Sequence, residues 1–287
     1  MKRKIWMIIT LLGITVLTVF FYRSGYELRL VPNEPDLRPE TVQPSPRELT
    51  NEFKLSGGSE RDNRGFPQRK IVDLSSRYPS LFYLHGDLEA KKIALTFDDG
   101  PDSLYTPQIL DILKENNIKA TFFLVGNRAR LFPDVVKRMV QEGHVVGNHT
   151  MTHANIVNLN EEQMKQEILQ AEDVLQPLIG YRTALFRSPY GSLGPSTVES
   201  IDTLNYKIIA WNVDSLDWKS LTAEQVKYNI LENVKNGSIV LQHCSGSTEE
   251  NLTGSVSALR DVITVLRREG YQFVTIPEIL NIPYQKK

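Results

Sequence analysis

The chain of 287 residues has almost no cysteine and almost no net charge. Its single cysteine, Cys244, excludes an internal disulfide, and a core built from roughly 200 residues does not need one. Lysine and arginine total 33 and aspartate and glutamate total 34, so no excess of positive charge indicates a nucleic-acid partner. Internal repeats and low-complexity tracts are also missing. These absences leave an ordinary globular composition, in which function must be sought in local motifs.

The first residues form a membrane-insertion signal. Three basic residues, Lys2 to Lys4, precede an uncharged apolar run over residues 5–22, which stops at Arg23. As a helix this run would span about 27 Å at about 1.5 Å per residue, close to the thickness of the hydrocarbon core of a bilayer. The basic flank predicts a cytoplasmic N-terminus and an extracellular remainder. We therefore predict that residues 1–23 are a cytoplasmic basic tip and a transmembrane anchor.

The segment after the apolar run indicates how the rest of the chain is held. No small-x-small cleavage site precedes Arg23, which favours an uncleaved anchor over a removed signal peptide; cleavage would release a secreted protein. Residues 24–70 contain several prolines among charged and small polar residues, without sustained apolar periodicity. This composition predicts an extended stalk, with a loose N-terminal subdomain as the alternative. The folded domain is then expected over residues 71–287.

Past Leu88, short apolar runs alternate with amphipathic stretches, which predicts an α/β domain with parallel strands and covering helices. Capping-box patterns predict helix starts at Asn160 and Thr222. The predicted strands cover residues 93–97, 120–124, 145–147, 184–187, 207–211, 238–242 and 272–276. Such strands fit either a barrel or an open doubly wound sheet, and periodicity does not separate the two. In both, ligands gather at the C-terminal ends of the strands, so polar residues there are the candidates.

Two adjacent carboxylates, Asp98 and Asp99, follow the first predicted strand and precede a Gly-Pro turn. Because consecutive strand residues point to opposite sides, the two can serve different purposes at one site, such as metal binding and proton transfer. The alternative is an exposed turn, since Asp-Asp-Gly-Pro also suits turn geometry.

A second motif, from His149 to His153, follows the third predicted strand. Histidines four residues apart would face the same way on a helical turn, and with one carboxylate they would form a set that suits zinc or another divalent transition metal. Two unrelated surface or capping histidines are the alternative. That alternative weakens because Asp98 and Asp99 stand at an equivalent strand end.

Later strand ends also carry titratable groups. Arg187 follows the fourth predicted strand, Asp214 and Asp217 follow the fifth, and His243 ends the sixth. Taken singly, these would be a surface ion pair, two loop caps and a core histidine. Their recurrence at successive strand ends favours one shared site. Cys244 lies next to His243 but would point away from it on a strand, so we predict that it is buried packing.

Five motifs in this order resemble the polysaccharide deacetylases with a NodB-homology domain, also called carbohydrate esterase family 4. The resemblance covers about residues 93–280, and the anchor and stalk lie outside it. The motifs are TFDDGP at Thr96, HTMTH at His149, RSPY at Arg187, DSLDW at Asp214 and LQH ending at His243. The resemblance implies a distorted (β/α) barrel with about seven strands and a catalytic domain over residues 71–287.

The resemblance also implies a role for each matching residue. Asp99, His149 and His153 would bind the metal, Asp98 would be the catalytic base and His243 the catalytic acid. Arg187 would hold the base and keep it ionised, and Asp217 would orient the acid and favour its protonated form. The backbone N–H of Tyr190 would contribute to an oxyanion hole, and Trp218 and Leu241 would line the groove or the acetyl pocket. Pro189 corresponds to a proline that some members of the family carry in chemically modified form.

The implied reaction is metal-dependent removal of N-acetyl groups from a polysaccharide, with release of acetate. Peptidoglycan is the expected substrate, because an anchor and stalk would hold the domain beside the cell wall; its two amino sugars both stay open. Other substrates within this chemistry are chitooligosaccharide, another poly-N-acetylglucosamine and O-acetylated xylan. A catalytically silent glycan-binding protein is the alternative of another class. The expected metal is zinc, with cobalt, nickel, manganese and iron as alternatives.

Overall fold

A computed structural model describes residues 73–247 and 250–287. The predicted anchor and stalk lie outside these residues, so both stay predictions. Within the described residues, no helix combines the length and the apolar character that crossing a bilayer requires.

The described domain is built on a parallel sheet whose strands alternate with helices, as predicted. In spatial order the main path is β1-β6-β5-β4-β3-β2-β8-β7, with β9 paired to β2, and every pairing of these strands is parallel. The strands are β1 (Phe82–Tyr83), β2 (Lys92–Asp98), β3 (Thr121–Leu124), β4 (Val145–Asn148), β5 (Leu185–Phe186), β6 (Lys207–Ile209), β7 (Val213–Asp214), β8 (Ile239–His243) and β9 (Gln272–Phe273).

The sheet curls, and β6 and β7, which follow each other closely along the chain, lie near opposite ends of its strand order. β6 pairs with β5, whereas β7, which begins at Val213, pairs with β8 at the other end of the sheet. Between them Asn212 pairs with β8 through its backbone N–H and its side-chain oxygen, which bind Ile239. The barrel-like (β/α) fold is therefore confirmed, but the predicted count of seven strands is wrong. β1 and β7, of two residues each, were not predicted, and both pair with segments far away along the chain.

Two helices begin at the predicted signals. The capping boxes at Asn160 and Thr222 are both formed, and the longest helix ends at Gly180, which adopts a left-handed φ of 83°. The helices are α1 (Leu74–Arg77), α2 (Tyr105–Glu115), α3 (Gly126–Leu131), α4 (Pro133–Gln141), α5 (Glu161–Ile179), α6 (Pro195–Asp202), α7 (Ala223–Leu231), α8 (Thr253–Arg268) and α9 (Ile276–Leu280).

Two apolar layers cover the two faces of the sheet, and alternation along the strands decides which residue enters which layer. Ile93, Leu95 and Phe97 of β2 belong to one layer, and Ala94 belongs to the other. Cys244 lies fully buried in the first layer, as its predicted packing role requires. A Cβ atom on Gly100 would lie 2.3 Å from its sulfur, so only glycine fits there.

His144 is buried against Phe122, with ring centroids 5.2 Å apart, and its Nδ1 accepts a hydrogen bond from the Ala120 N–H. Burial, and to a smaller extent the charge of Lys119, lowers the pKa of His144 from 6.5 to about 4. Between pH 6.5 and about pH 4, this histidine is therefore protonated in the unfolded chain but neutral in the native state. Because the unfolded state binds more protons, the free energy of unfolding falls as the pH falls through this range.

We expect the protonation of His144 in the unfolded chain to lower the free energy of unfolding by about 2 kcal/mol as the pH falls from 7 to 5. Urea unfolding of His144→Asn, which keeps an acceptor for Ala120, should show a shallower pH dependence over this range. The exposed His85 supplies the control, because His85→Asn should keep the dependence of the parent protein. If His144→Asn and the parent protein showed the same pH dependence, the lowered pKa of His144 would not be the cause of the loss of stability.

Candidate active site

Three side chains from two strand ends converge at the C-terminal edge of the sheet. Asp99 follows β2, and His149 and His153 follow β4. One ligand atom from each lies within 4.8 Å of the other two, and the imidazole centroids of the two histidines are 5.0 Å apart. The structure thus brings together the three residues that the motifs assigned to a metal.

The hydrogen bonds around these side chains fit a cation. The His149 Nδ1 lies 2.7 Å from the Arg187 carbonyl oxygen, which can only accept, so Nδ1 carries a proton and, in the neutral ring, Nε2 presents a lone pair. The Asp99 Oδ1 lies 3.3 Å from His149 Nε2 and 3.0 Å from His153 Nε2. This oxygen is buried and has no hydrogen-bond partner in the described part of the chain. A carboxylate oxygen beside two imidazole nitrogens at these distances forms a donor set that suits a divalent cation.

The prediction that His149 and His153 share a helical turn is wrong. Residues 149–153 form an irregular loop, in which Thr150 and His153 adopt left-handed φ values of 66° and 62°. Asp99 also has a left-handed φ, 69°, which turns the chain at the end of β2. Spacing of four along a helix therefore does not explain the convergence; the folding of the loop does.

The second carboxylate of the pair, Asp98, is the last residue of β2 and is 3% exposed. Arg187 Nη1 donates to its Oδ1 at 2.8 Å and to Thr96 Oγ1 at 2.8 Å. The guanidinium also donates to the carbonyl oxygens of Ile209 and Ala210 and lies against the Phe123 ring. Such a fully engaged arginine holds the Asp98 carboxylate in one orientation.

Burial raises the pKa of Asp98, and the charges of Arg187, His149 and His243 lower it without cancelling that effect. Arg187 does lower the pKa of Asp98, in the direction expected from the motif, but burial has the larger effect. Loss of hydration destabilises the buried carboxylate more than the charge of the arginine stabilises it.

His243 stands directly beside Asp98 in the sheet, because the two residues are register partners on the neighbouring strands β8 and β2. Its Nδ1 lies 2.7 Å from Asp217 Oδ1, and its backbone N–H donates to Asp217 Oδ2 at 2.9 Å. Ser255 Oγ also donates to Oδ2, at 2.7 Å. Burial opposes ionisation of Asp217, but the His243 ring and these hydrogen bonds outweigh it and lower the pKa of Asp217.

The geometry and comparisons with known proteins point to the same family. A family model described as "Polysaccharide deacetylase" matches residues 85–209. A peptidoglycan-N-acetylglucosamine deacetylase of Bacillus cereus strain ATCC 14579 is 42% identical over 202 residues, which are 70% of this chain and 73% of that protein. The chain belongs to the polysaccharide deacetylase family.

Further comparisons agree with this assignment. The crystal structure of the Bc1960 peptidoglycan N-acetylglucosamine deacetylase in complex with 4-naphthalen-1-yl-N-oxidanyl-benzamide superimposes with a TM-score of 0.71. It is 39% identical and covers 74% of this chain and 99% of its own. The peptidoglycan-N-acetylmuramic acid deacetylase PdaA of Bacillus subtilis strain 168 is 30% identical and covers 79% of this chain and 84% of its own.

The other residues that the family resemblance singled out differ in burial and in contacts. Tyr190, with a left-handed φ of 61°, places its hydroxyl 3.1 Å from His153 Nδ1, a contact that sequence reasoning missed. Trp218 is half-buried, and its Nε1 has no hydrogen-bond partner within the described residues. Leu241 is fully buried on β8. Asp214 Oδ1 accepts from the Leu216 N–H at 2.8 Å, as expected for a loop cap.

Several residues to which the motifs assigned no role contact the residues of the site. Ser255 binds Asp217 from α8, and Thr96 binds Arg187 from β2. Asn148 and Glu167 bind the loop that carries the two histidines. Of these four residues only Thr96 stands inside a quoted motif, and Asn148 directly precedes the HTMTH motif. Glu167 and Ser255 are polar positions on helices, and nothing in their local sequence separates them from solvent-facing residues.

Proposed function

We propose that this protein is a metal-dependent hydrolase that removes N-acetyl groups from peptidoglycan N-acetylglucosamine. The observation that carries the proposal is one cluster of side chains that fits the whole reaction. A three-residue ligand set, a buried carboxylate held by arginine and a histidine paired with aspartate meet at one edge of the sheet. The relatives named above act on peptidoglycan, which supports this polymer as the substrate.

Asp99, His149 and His153 would hold the metal ion. A bound divalent cation supplies polarisation of the acetyl carbonyl and a lowered pKa for water at the site, towards about 7. Two imidazoles and one carboxylate suit zinc, which is our first expectation, and also cobalt, nickel, manganese or iron. Tyr190 contacts His153 Nδ1 and the Arg187 carbonyl contacts His149 Nδ1, so each ring is oriented from behind.

The protein's own groups would handle both protons of the reaction. An amide is a poor electrophile and an amine is a poor leaving group, so hydrolysis needs help at both ends. Asp98, with its raised pKa, would accept the proton of the attacking water. His243, whose Nδ1 is held by Asp217, would present its other nitrogen to the leaving amine as a proton donor.

The remaining contacts would position the substrate. We assign the backbone N–H of Tyr190 to the developing oxyanion, and Trp218 and Leu241 to the groove and the acetyl pocket. The unpartnered Trp218 Nε1 supports this assignment, because a buried donor gains a partner when a sugar hydroxyl binds.

For the location, we propose a single-pass membrane protein with the domain outside the cell. The apolar run over residues 5–22 with its preceding basic residues supports an anchor, and residues 24–70 support a stalk that reaches the wall.

Acetate release by the full-length protein in detergent micelles tests the proposal. We expect peptidoglycan to yield acetate, with the free amine appearing on glucosamine rather than on muramic acid. Chitooligosaccharide, poly-N-acetylglucosamine and acetylated xylan are the competing substrates. A chelator should reduce release to background, and added zinc should restore it. Glycan binding without acetate release from any polymer, with zinc present, would instead support the silent glycan-binding protein.

A further inference from the structure

We propose that Glu167 is a positioning residue that shapes the metal-binding loop and thereby sets the affinity of the site for its cation. The loop comprises residues 149–153, between the two candidate histidine ligands, and Glu167 reaches it from α5. The proposal rests on the metal site proposed above, and it concerns a residue that lies outside all five motifs.

Side-chain oxygens hold three consecutive backbone N–H groups of this loop. Asn148 Oδ1 accepts from Thr150 N at 2.9 Å. Glu167 Oε2 accepts from Met151 N at 3.1 Å and from Thr152 N at 2.9 Å, and its Oε1 accepts from Thr152 Oγ1 at 2.9 Å. One carboxylate therefore accepts from two backbone N–H groups and one hydroxyl of the loop.

The opposite side of the loop is held by the first residues of α3. Gly126 N donates to the Thr150 carbonyl oxygen and Asn127 N donates to that of Met151, both at 2.9 Å. A Cβ atom on Gly126 would lie 2.6 Å from Met151 Sδ, so the loop and α3 are in close contact. The loop is thus fastened through its carbonyl groups by α3 and through its N–H groups by Glu167.

The loop needs such fastening because its conformation is intrinsically unfavourable. Thr150 and His153 both adopt left-handed φ values, which L residues with a Cβ atom seldom occupy. For Thr150, a β-branched residue, that conformation is especially costly. A strained loop persists only when its surroundings determine it, so removal of the carboxylate should let the spacing of the two imidazoles relax.

Helix α5 is a rigid support for the carboxylate. It begins in a capping box at Asn160 and ends at a left-handed Gly180, and Ile168, the residue after Glu167, is fully buried. The Ile168 carbonyl oxygen also accepts from Asn148 Nδ2 at 2.9 Å. The same turn of α5 therefore fixes both side chains that hold the loop.

Metal affinity tests the proposal directly. Zinc affinity of the full-length apo protein would be measured by competition with a chromophoric chelator, and the ligand-field absorption of the cobalt form would report the ligand geometry. The variants are Glu167→Ala and Glu167→Gln. Glu162→Gln, at an exposed position of the same helix, is the matched control. His153→Ala establishes separately that the metal binds at the proposed site.

We expect Glu167→Ala to weaken zinc binding 10- to 100-fold, the usual effect of losing a residue that orients a ligand, and to change the cobalt spectrum. Glu167→Gln should lose less, because its amide oxygen still accepts from the loop, and Glu162→Gln should match the parent. Unchanged affinity and spectrum in Glu167→Ala would overturn the proposal. An equal loss in Glu167→Ala and Glu167→Gln would assign the effect to charge and would also overturn it. Metal binding unaffected by His153→Ala would instead refute the proposed metal site.

Discussion

Asp98→Asn should lower kcat for acetate release from peptidoglycan about 10²- to 10⁴-fold, because an amide cannot take up the proton of the attacking water. The substitution keeps the size of the side chain and an oxygen that can accept from Arg187 Nη1, which lies 2.8 Å from Asp98 Oδ1. Binding of the polysaccharide should change little. Initial rates of acetate release at saturating substrate, together with a binding isotherm for the insoluble polymer, provide the measurement.

Two controls keep this result interpretable. Asp134→Asn removes an exposed carboxylate from α4, where 93% of the side chain is accessible, and should leave kcat unchanged. Circular dichroism and metal content should show that Asp98→Asn is folded and loaded, since Arg187 is buried and loses a charged partner. A folded, metal-loaded Asp98→Asn protein that keeps a tenth or more of the parent kcat would exclude Asp98 as the base.

His243→Gln should lower kcat on the N-acetyl substrate about 10²- to 10⁴-fold, and Asp217→Asn should act in the same direction. The pair is expected to behave as a unit, because Asp217 binds both the ring Nδ1 and the backbone N–H of His243. The double variant should therefore lose little more than His243→Gln alone, and a kinetic double-mutant cycle measures this coupling.

Substrates with different leaving groups distinguish the two proposed proton transfers. An aryl acetate ester expels an oxygen anion that needs no proton, so His243→Gln should affect its hydrolysis far less than amide hydrolysis. Asp98→Asn should impair ester and amide hydrolysis alike, because both require an activated water. Equal losses for His243→Gln on the ester and the amide would mean that His243 does not act as the acid.

Most of the site could be predicted because its residues are concentrated in short motifs at strand ends. Asp98, Asp99, His149, His153, Arg187, Asp217 and His243 all stand where a parallel strand gives way to its loop. The geometry of the loop could not be predicted, since a spacing of four suits a helix and the left-handed Thr150 depends on partners from α3 and α5. Tyr190 was assigned through its backbone, whereas its hydroxyl contact with His153 Nδ1 depends on how the RSPY and HTMTH loops meet.

The short strands show the same limit. The strand predicted over residues 207–211 corresponds to β6 alone, whereas β7, which begins at Val213 and pairs near the other end of the sheet, was not predicted. Apolar alternation within a segment does not indicate which distant strand that segment will pair with. The pKa of Asp98 also could not be predicted, because it depends on burial as well as on neighbouring charges, and burial is a property of the folded domain.

By itself the amino-acid sequence determined the class of chemistry, since ligand, base and acid residue types recur in fixed motifs whatever the details of the loops. It also determined the alternation of strands and helices, because apolar periodicity follows from which residues must avoid water. Only the tertiary structure decided how Asp99 and the two histidines meet, and which side chains outside the motifs hold them. That decision rests on long-range contacts, such as Glu167 with the loop over 149–153 and Ser255 with Asp217, and each exists only after distant segments have packed together.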